Sequence, residues 1–418
     1  MKVLWFTNTP SLAENKAKRK PVGGGWIKSL EQEIIKNSNI ELGISFYSDT
    51  NIDDFDQSTT KYYPIKPSNN NSKFDVILKR LNSRIEPQSD LEKLIKIVKD
   101  FKPDLIHVLG TEGIFGLINQ KIKDIPIVIS IQGNLTVYSD KFFVGISESS
   151  TKKHSPLKSK ILLKTYYRDF LVFRKKALRE QKILKNANYI IGRTDWDKRI
   201  TRVLAPKSKY FHNDEILRTP FYQNKWSNNN NTEPIIFTTT GSNLYKGIEN
   251  ILKSALLLDN LNVKYMWKIA GLTPDDRLIK LATKSLKIKV SENLIFLGKI
   301  SEDILVEELK SASIYVMASH IENSPNNLCE AMILGLPCIA SHAGGTATLL
   351  ENKKDGILIQ DGDSYVLSGA ILELINNKNK ALTYGENARK KALLRHNPDR
   401  IVKELINIYE NIIKDSQK

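Results

Sequence analysis

The chain has 418 residues, of which 41% are apolar, and this size favours two or three globular domains over a single core. No apolar run reaches the roughly 18 residues of a membrane-spanning helix, and no signal-peptide pattern follows the strand-like start, so we expect a cytoplasmic protein. The formal charge of +17 indicates an anionic partner, which charge alone does not identify.

Short β-branched runs alternate with helical patterns along the chain, which is typical of α/β domains with parallel sheets. The asparagine-rich segment 223–234 is too polar to bury a core and is interpreted as a linker. The sequence therefore predicts two Rossmann-like domains, 1–222 and 235–398, with a deep cleft between them and a final helix, 399–418, that crosses back to the first domain. The predicted strands are 2–7, 40–47, 104–109, 125–131, 188–193, 235–240, 265–270, 294–297, 313–317, 337–341 and 356–359.

The segment 152–185 carries twelve Lys or Arg residues against two acidic residues. Apolar residues recur among the basic ones at helical spacing, which predicts one long amphipathic helix with a basic face. The basic face is either a solvated surface or a docking face for an anionic membrane. Nucleic acid is disfavoured as a partner because no nucleic-acid-binding module accompanies the helix.

Two glutamates eight positions apart, Glu322 and Glu330, stand on either side of Pro325. Proline disfavours helix for the preceding Ser324 and suits the first turn of a helix that starts at this point. We therefore expect Glu322 in a loop and Glu330 about one turn inside a helix. One carboxylate should face a cleft, while the other lies near the positive end of the helix.

Several further motifs follow one another in a fixed order with this acidic pair. In order and spacing they resemble the nucleotide-sugar domain of a retaining glycosyltransferase of the group 1 type, family 4, with the GT-B fold. The resemblance is weaker in the first half, at 102–108 and at Gly23-Gly24-Gly25. The motifs that carry it are Gly241, Lys246-Gly247, Gly271, Gly298, Glu330-Ala331-Met332, Gly335-Leu336-Pro337 and Gly344-Gly345-Thr346.

The resemblance implies a role for each of these residues. Glu330 would bind the ribose, Glu322 would lie beside the donor sugar, and Lys246 would neutralise the departing diphosphate, so that Glu322 and Lys246 are the expected catalytic groups. The other expected donor-binding residues are Gly241, Ser242, Gly298, Lys299, Ile300, Ser324, Pro325, Asn326, Asn327 and Leu328. Loops expected at the phosphates or the acceptor contribute Gly23, Gly24, Gly25, Gln132, Gly344, Gly345 and Thr346.

The sequence departs from the family pattern at two positions. Many members have an arginine where this chain has Ser242, and a histidine near the reacting centre where this chain has Gln132. Glutamine cannot act as a base, so we carry over no general base. The resemblance implies no cofactor and no metal, and the two cysteines, Cys329 and Cys338, lack zinc-site spacing.

The leading hypothesis is a metal-independent hexosyltransferase that moves a sugar from a nucleoside diphosphate to a glycan. The resemblance and the basic segment favour a lipid-linked acceptor in capsule, O-antigen or exopolysaccharide synthesis, on the inner face of the plasma membrane. A nucleotide-sugar binding protein with impaired catalysis and a GT-B epimerase or phosphorylase are the alternatives. The donor sugar, its base and the acceptor linkage stay open.

Overall fold

The computed structural model describes residues 1–17, 25–68, 82, 83, 85, 86, 89–227 and 233–418. These residues divide into two compact units. Unit 1 comprises Met1–Ser139, Arg168–Ile216 and His396–Lys418, and unit 2 comprises Asp140–Tyr167 and Leu217–Arg395. Each unit is an α/β domain built on a largely parallel sheet, as the sequence predicts.

The sheet of unit 1 runs through the middle of that unit. Its strands, within the described ranges, are β1 Lys2–Thr7, β2 Glu41–Tyr47, β3 Phe55–Gln57, β4 Thr60–Ile65, β5 Leu105–Leu109, β6 Ile127–Ser130, β7 Tyr189–Gly192 and β8 Lys209–His212. They lie in the order β3-β4-β2-β1-β5-β6-β7-β8, and the β3–β4 pair is antiparallel while the others are parallel. The central strands are mostly apolar and buried because both faces of the sheet are covered.

Unit 2 has a fully parallel sheet in the doubly wound order. Its strands are β9 Ile235–Thr239, β10 Met266–Ala270, β11 Leu294–Gly298, β12 Ile314–Met317, β13 Cys338–Ser341 and β14 Ile357–Ile359. They lie in the order β11-β10-β9-β12-β13-β14, so the direction of strand addition reverses between β9 and β12. In such sheets the loops after the two strands at the reversal separate and leave a crevice that binds ligands.

The helices connect these strands and cover the sheets. In chain order they are α1 Glu14–Ala17, α2 Gly25–Asn37, α3 Asp90–Phe101, α4 Leu135–Asp140, α5 Glu148–His154, α6 Leu157–Ile161, α7 Tyr166–Lys185, α8 Asp195–Leu204, α9 Thr219–Gln223, α10 Ile248–Asn260, α11 Arg277–Leu286, α12 Glu302–Ser311, α13 Asn326–Leu334, α14 Thr346–Leu349, α15 Ser364–Asn376, α16 Lys378–Arg395 and α17 Pro398–Ser416. Among the described residues, no helix is both long enough and apolar enough to cross a membrane.

The segment 152–185 is not one helix, and that prediction is wrong. It spans the end of α5, all of α6 and α7. Pro156 precedes α6, and Leu163 adopts a left-handed backbone with φ 53°, so the chain turns twice within this segment. Helical periodicity alone did not reveal these two turns, because the apolar spacing continues across them.

The segment expected to be a linker begins inside unit 2. Trp226 is buried in the core, its indole Nε1 donates to the Ala312 carbonyl at 2.7 Å, and its amide donates to the Leu334 carbonyl at 2.8 Å. Phe221, just before this segment, is fully buried in the same core. Residues 228–232 lie outside the described residues. Up to residue 227 the segment is therefore anchored to the core of unit 2 through Trp226.

The last helix, α17, belongs to unit 1, where it packs against α2. Its apolar residues recur at helical spacing on the buried side, and Tyr409 reaches the sheet. The Tyr409 hydroxyl accepts from Trp5 Nε1 at 3.1 Å and pairs with His107 Nδ1 at 2.6 Å. His107 Nε2 pairs with the Ser130 hydroxyl at 2.6 Å, so one buried chain of hydrogen bonds joins α17 to β1, β5 and β6.

Replacing Tyr409 with Phe should destabilise unit 1 by about 1–3 kcal/mol, because it leaves buried polar nitrogens on Trp5 and His107 without their partner. The measurement is chemical unfolding followed by fluorescence and circular dichroism. Tyr365→Phe, at a side chain that is exposed in unit 2, is the matched control and should leave unfolding unchanged. Equal effects of the two substitutions would contradict the role given to Tyr409.

Candidate active site

The residues of the acidic motif lie in unit 2 at the point where the strand order reverses. Glu322 lies in the loop after β12, and Lys246 ends a 3-10 turn in the loop after β9. The Lys246 ammonium donates to Glu322 Oε1 at 2.6 Å, and the Glu322 side chain is buried. The structure therefore brings the two expected catalytic groups into direct contact as an ion pair.

Glycines fix the backbone on both sides of this ion pair. Gly247, directly after Lys246, has φ 72°, and a Cβ there would collide with the carbonyl oxygen of Ala318. Gly344 has φ 57°, and a Cβ there would collide with the carbonyl oxygen of Glu322. Only glycine combines a left-handed backbone with this close approach. Both glycines thus hold loops of different strands against each other.

The Gly344-Gly345-Thr346 loop contacts the backbone of Glu322. The Gly345 amide donates to the Glu322 carbonyl at 2.9 Å, and both the amide and the hydroxyl of Thr346 donate to Ala343. The sequence pattern indicated a helix end that offers amides to phosphate, but α14 has four residues, and the amides of Gly345 and Thr346 are already bonded within the protein. The geometry makes this loop a support for Glu322, and its role at the phosphates or the acceptor stays a prediction.

Helix α13 begins as the position of Pro325 predicts. Pro325 is the residue before the helix, and its carbonyl accepts from the amides of Leu328 at 3.1 Å and Cys329 at 3.2 Å. The Asn327 side chain donates to the Thr239 carbonyl at the end of β9 at 2.8 Å, which ties the first turn of α13 to the sheet. The first amides of a helix lack partners within it, so this end is suited to an anionic or hydroxylated ligand.

Glu330 is the fifth residue of α13 and is buried. Arg218 holds both of its oxygens: Nε donates to Oε1 and Nη2 donates to Oε2, each at 2.7 Å. The guanidinium also contacts Glu302 at 3.4 Å and lies over the Phe221 ring at 4.8 Å. Burial acts to lower the pKa of Arg218, but the hydrogen bonds and charges of Glu330 and Glu302 outweigh it and raise that pKa.

Sequence reasoning missed Arg218. It precedes α9 by one residue, outside every motif, and lies 112 positions from Glu330. No spacing rule connects the two residues, and an arginine next to Thr-Pro reads as an ordinary turn. Fork-to-fork geometry of this kind places an arginine and a carboxylate with high precision. Arg218 is therefore a positioning residue for Glu330.

A buried histidine joins three loops behind the ion pair. His320, two residues before Glu322, bonds through Nε2 to Glu249 Oε1 at 2.6 Å and through Nδ1 to Asp361 Oδ2 at 3.2 Å. Its backbone amide donates to the Tyr245 carbonyl at 2.8 Å. Burial acts to lower the pKa of His320, but the two carboxylates outweigh it and leave that pKa above its usual value.

The other predicted donor-binding residues lie after β9, at the end of β11 and at the start of α13. Gly241 has open space where a Cβ would lie, and the Ser242 carbonyl accepts from the Tyr166 hydroxyl at 3.0 Å. Gly298 ends β11 with φ 65°, Lys299 is exposed, and Ile300 packs against the core. Ser324 and Leu328 are buried, and Asn326 opens α13.

Unit 1 holds the remaining predicted residues. Gly25 is the first residue of α2, while Gly23 and Gly24 lie outside the described residues. The Gln132 side chain donates to the Leu109 carbonyl at 2.9 Å, in the loop after β6. None of the residues described in either unit forms a group of three or more His, Cys, Asp and Glu side chains arranged to hold a metal ion.

A polar cluster at the same edge of unit 1 was also missed. Glu112, after β5, accepts from Asn8 Nδ2 at 3.3 Å and lies 3.4 Å from the Gly133 amide. Burial and the nearby charge of Glu180 raise the pKa of Glu112. Glu180 accepts from the hydroxyls of Thr111 and Thr136 and from two amides at the start of α4. Of the two carboxyl groups at this edge, Glu112 accepts fewer hydrogen bonds from the described residues than Glu180 does.

Replacing His320 with Gln should lower the stability of unit 2 by about 2–3 kcal/mol near pH 6, because charged hydrogen bonds to Glu249 and Asp361 are lost. The pKa of His320 is raised on folding, so this stabilisation is full below the unfolded value and is lost as the pH rises through the folded one. The gap between wild type and variant in thermal midpoint should therefore narrow toward alkaline pH. His342→Gln, at an exposed histidine, should show no gap at any pH.

Residues 221–391 match the protein family described as glycosyl transferases, group 1. An uncharacterized glycosyltransferase of Methanocaldococcus jannaschii is 30% identical over 40% of this chain and 43% of that protein. The N-acetyl-alpha-D-glucosaminyl L-malate synthase of Bacillus anthracis is 24% identical over 44% of this chain and 48% of that protein. The capsular polysaccharide biosynthesis glycosyltransferase CapM of Staphylococcus aureus is 24% identical over 41% of this chain and 44% of that protein. The matched parts span less than half of each relative.

Solved structures resemble the chain over nearly its whole length. Sucrose-phosphate synthase from Thermosynechococcus elongatus superposes with a TM-score of 0.73, covering 99% of both chains at 15% identity. HepE of Anabaena, solved in complex with UDP-glucose, superposes with a TM-score of 0.63, covering 97% of this chain and 99% of that one at 16% identity. At these identities the likeness shows the fold.

Proposed function

Because the chain has the GT-B fold and its residues 221–391 belong to the group 1 glycosyl transferases, we propose that it transfers a sugar from a nucleoside diphosphate to a glycan. The proposed transfer retains the anomeric configuration and uses no metal or other cofactor. The observation that carries the proposal is the ion pair of Lys246 and Glu322, set beside the start of α13 at the strand-order reversal.

Each group of this arrangement suits one part of a nucleotide sugar. The diphosphate carries negative charge that competes with Glu322 for the Lys246 ammonium, and that ammonium stabilises the charge left on the diphosphate as the glycosidic bond breaks. Glu322, once it shares its cation, can accept sugar hydroxyls and stabilise positive charge at the anomeric carbon. The first turn of α13 supplies amide donors beside them.

We propose that Glu330 binds the two ribose hydroxyls while Arg218 holds it. A carboxylate oxygen can accept more than one hydrogen bond, so the bonds from Arg218 are compatible with binding of ribose hydroxyls. The family pattern would place an arginine at position 242, and this chain has Ser242 there. Arg218 supplies a fixed guanidinium in this unit, directed at Glu330. The proposed division is that Lys246 serves the diphosphate and Arg218 serves the ribose-binding acid.

For the acceptor we propose a glycan, most simply a lipid-linked one, used in surface polysaccharide synthesis. The name of CapM gives that relative a role in capsular polysaccharide biosynthesis, and one Escherichia coli relative is named as a galactosyltransferase acting on a diphosphoundecaprenol-linked sugar. The polar edge of unit 1 at Glu112, Gln132 and Gly133 is proposed to bind the acceptor. An anionic membrane surface is proposed as a partner of the basic residues in 152–185.

The first test is a thermal-shift screen of UDP, GDP and ADP sugars, followed by nucleoside diphosphate release from the stabilising donor with and without lipid-linked glycan acceptors. Glu322→Gln and Lys246→Met should each lower the release rate about 100-fold or more in protein that circular dichroism shows to be folded at the assay temperature. Glu351→Gln, at an exposed glutamate of the same unit, is the control and should be fully active. Full activity in both site variants would contradict the assignment.

Tight binding of a nucleotide sugar without transfer to any acceptor would favour a binding protein. Turnover that requires inorganic phosphate, or that changes the donor without an acceptor, would favour a phosphorylase or an epimerase.

A double-mutant cycle tests the pairing of Arg218 with Glu330. Glu330→Gln should weaken donor binding about tenfold, because the ribose loses a charged acceptor. Arg218→Gln should weaken it by a similar factor, because Glu330 is then free to rotate. The double variant should bind no worse than either single variant, since both act through one contact. Additive losses, measured by calorimetric titration of the donor, would show that Arg218 contacts the ligand independently.

A further inference from the structure

Helix α6 presents apolar side chains to solvent without any covering element in the described structure. None of its residues is buried, and Leu157 and Ile161 are 73% and 72% exposed. A separation of four positions places these two side chains on the same face. The Lys164 amide donates back to the Ser159 carbonyl at 2.8 Å, and the left-handed Leu163 lets the chain turn sharply. The two aliphatic side chains are thus exposed on a short helix of unit 2 that ends in a sharp turn.

A basic pocket of about 240 Å³ adjoins this helix. One wall is a face of α11 that carries Arg277, Lys280 and Lys284, at spacings of three and four positions. Lys164 and Ser159 contribute from the side of α6. Four cationic side chains face one carboxylate, Asp275, which pairs with Lys280 at 2.8 Å. The pocket therefore keeps a surplus of positive charge.

The guanidinium group of Arg277 is fixed in place at this pocket. Arg277 lies over the Tyr166 ring, 3.7 Å from the ring centre, and its Nη1 donates to the Lys164 carbonyl at 3.1 Å. Stacking and this hydrogen bond hold the guanidinium at the wall of the pocket, where its positive charge adds to that of the three lysines. Tyr166 is itself buried, so the platform under the arginine is rigid.

We propose that this pocket binds the phosphate of an anionic phospholipid while Leu157 and Ile161 insert among the acyl chains. A soluble phosphate would explain the cations, but it gives no reason for two large aliphatic side chains exposed on the adjoining helix. A membrane surface supplies both the phosphate and the apolar layer at the required places. The site narrows the proposed membrane contact from 152–185 to α6 and the pocket beside it.

This pocket is built from other elements than the Lys246–Glu322 pair, although the Tyr166 hydroxyl donates to the carbonyl of the predicted donor-binding residue Ser242. Its residues come from α5, α6 and the helix after β10, whereas Lys246 and Glu322 follow β9 and β12. The inference rests on the proposal that the enzyme works at a membrane. It does not rest on catalysis, so lipid binding and nucleotide release are separate measurements.

The test uses the full chain in flotation with vesicles of phosphatidylcholine, with and without phosphatidylglycerol. We expect binding to the anionic vesicles alone. The double substitution Leu157→Ser/Ile161→Ser should weaken it about tenfold or more, and Arg277→Gln and Lys284→Gln about fivefold each. The controls are Leu394→Ser, at a leucine that is 75% exposed, and Lys253→Gln, at an exposed lysine of α10. Both controls should bind like the wild type.

Two outcomes would overturn the proposal. One is equal binding by the site variants and their controls, including no binding by any of them. The other is calorimetric binding of inorganic phosphate or glycerol phosphate that is lost in Arg277→Gln while vesicle binding is unchanged, which would assign the pocket to a soluble phosphate. The Leu157→Ser/Ile161→Ser variant should bind the donor as the wild type does. If the wild type itself binds no donor, that result counts against the proposed function and leaves the membrane site untouched.

Discussion

The candidate site depends on how closely three loops of unit 2 approach one another through their backbones. The loop after β9 reaches the end of β12 because Gly247 has no side chain to meet the Ala318 carbonyl. The loop after β13 reaches Glu322 because Gly344 has none to meet the Glu322 carbonyl. His320 completes the contact with a hydrogen bond from its backbone amide to the Tyr245 carbonyl. Any side chain at either glycine would separate the loops, and Lys246 would lose its place beside Glu322.

The same arrangement also pairs the buried acidic groups of the site with basic side chains. Glu322 has Lys246, Glu330 has Arg218, and Glu249 has His320, each within 2.7 Å. Removing one member of such a pair destabilises the protein, because the other charge is left uncompensated. The site is therefore organised before any ligand arrives. In the proposed function a donor diphosphate enters a network of existing pairs and redistributes them. Lys246 is the cation best suited to move, because its ammonium contacts one oxygen of Glu322, whereas Arg218 holds both oxygens of Glu330.

Local patterns predicted much of this structure. All eleven predicted strands are present, because apolar β-branched runs bounded by polar turns give a strong local signal, and Pro325 placed Glu322 and Glu330 correctly relative to α13. Arg218 and the Glu249–His320 contact could not be predicted, since each joins residues that are distant in sequence and no local rule ranks such pairs. For the same reason the sequence placed 140–167 in the first domain, whereas these residues belong to unit 2. Strands β3, β4 and β8 were not predicted, because β3 and β8 have only three and four residues and β4 has polar residues and a proline among its apolar ones.

The order in which the chain is made acquires a meaning from α17. Unit 1 draws on three separated stretches, and the third of these, His396–Lys418, is synthesised after the whole of unit 2. Until Tyr409 leaves the ribosome, Trp5 and His107 lack the hydroxyl that satisfies them in the finished protein. Unit 2, whose larger stretch is contiguous, can complete its core first. The amino-terminal unit is thus the last to be finished, which reverses the order usual for domains that fold as they emerge.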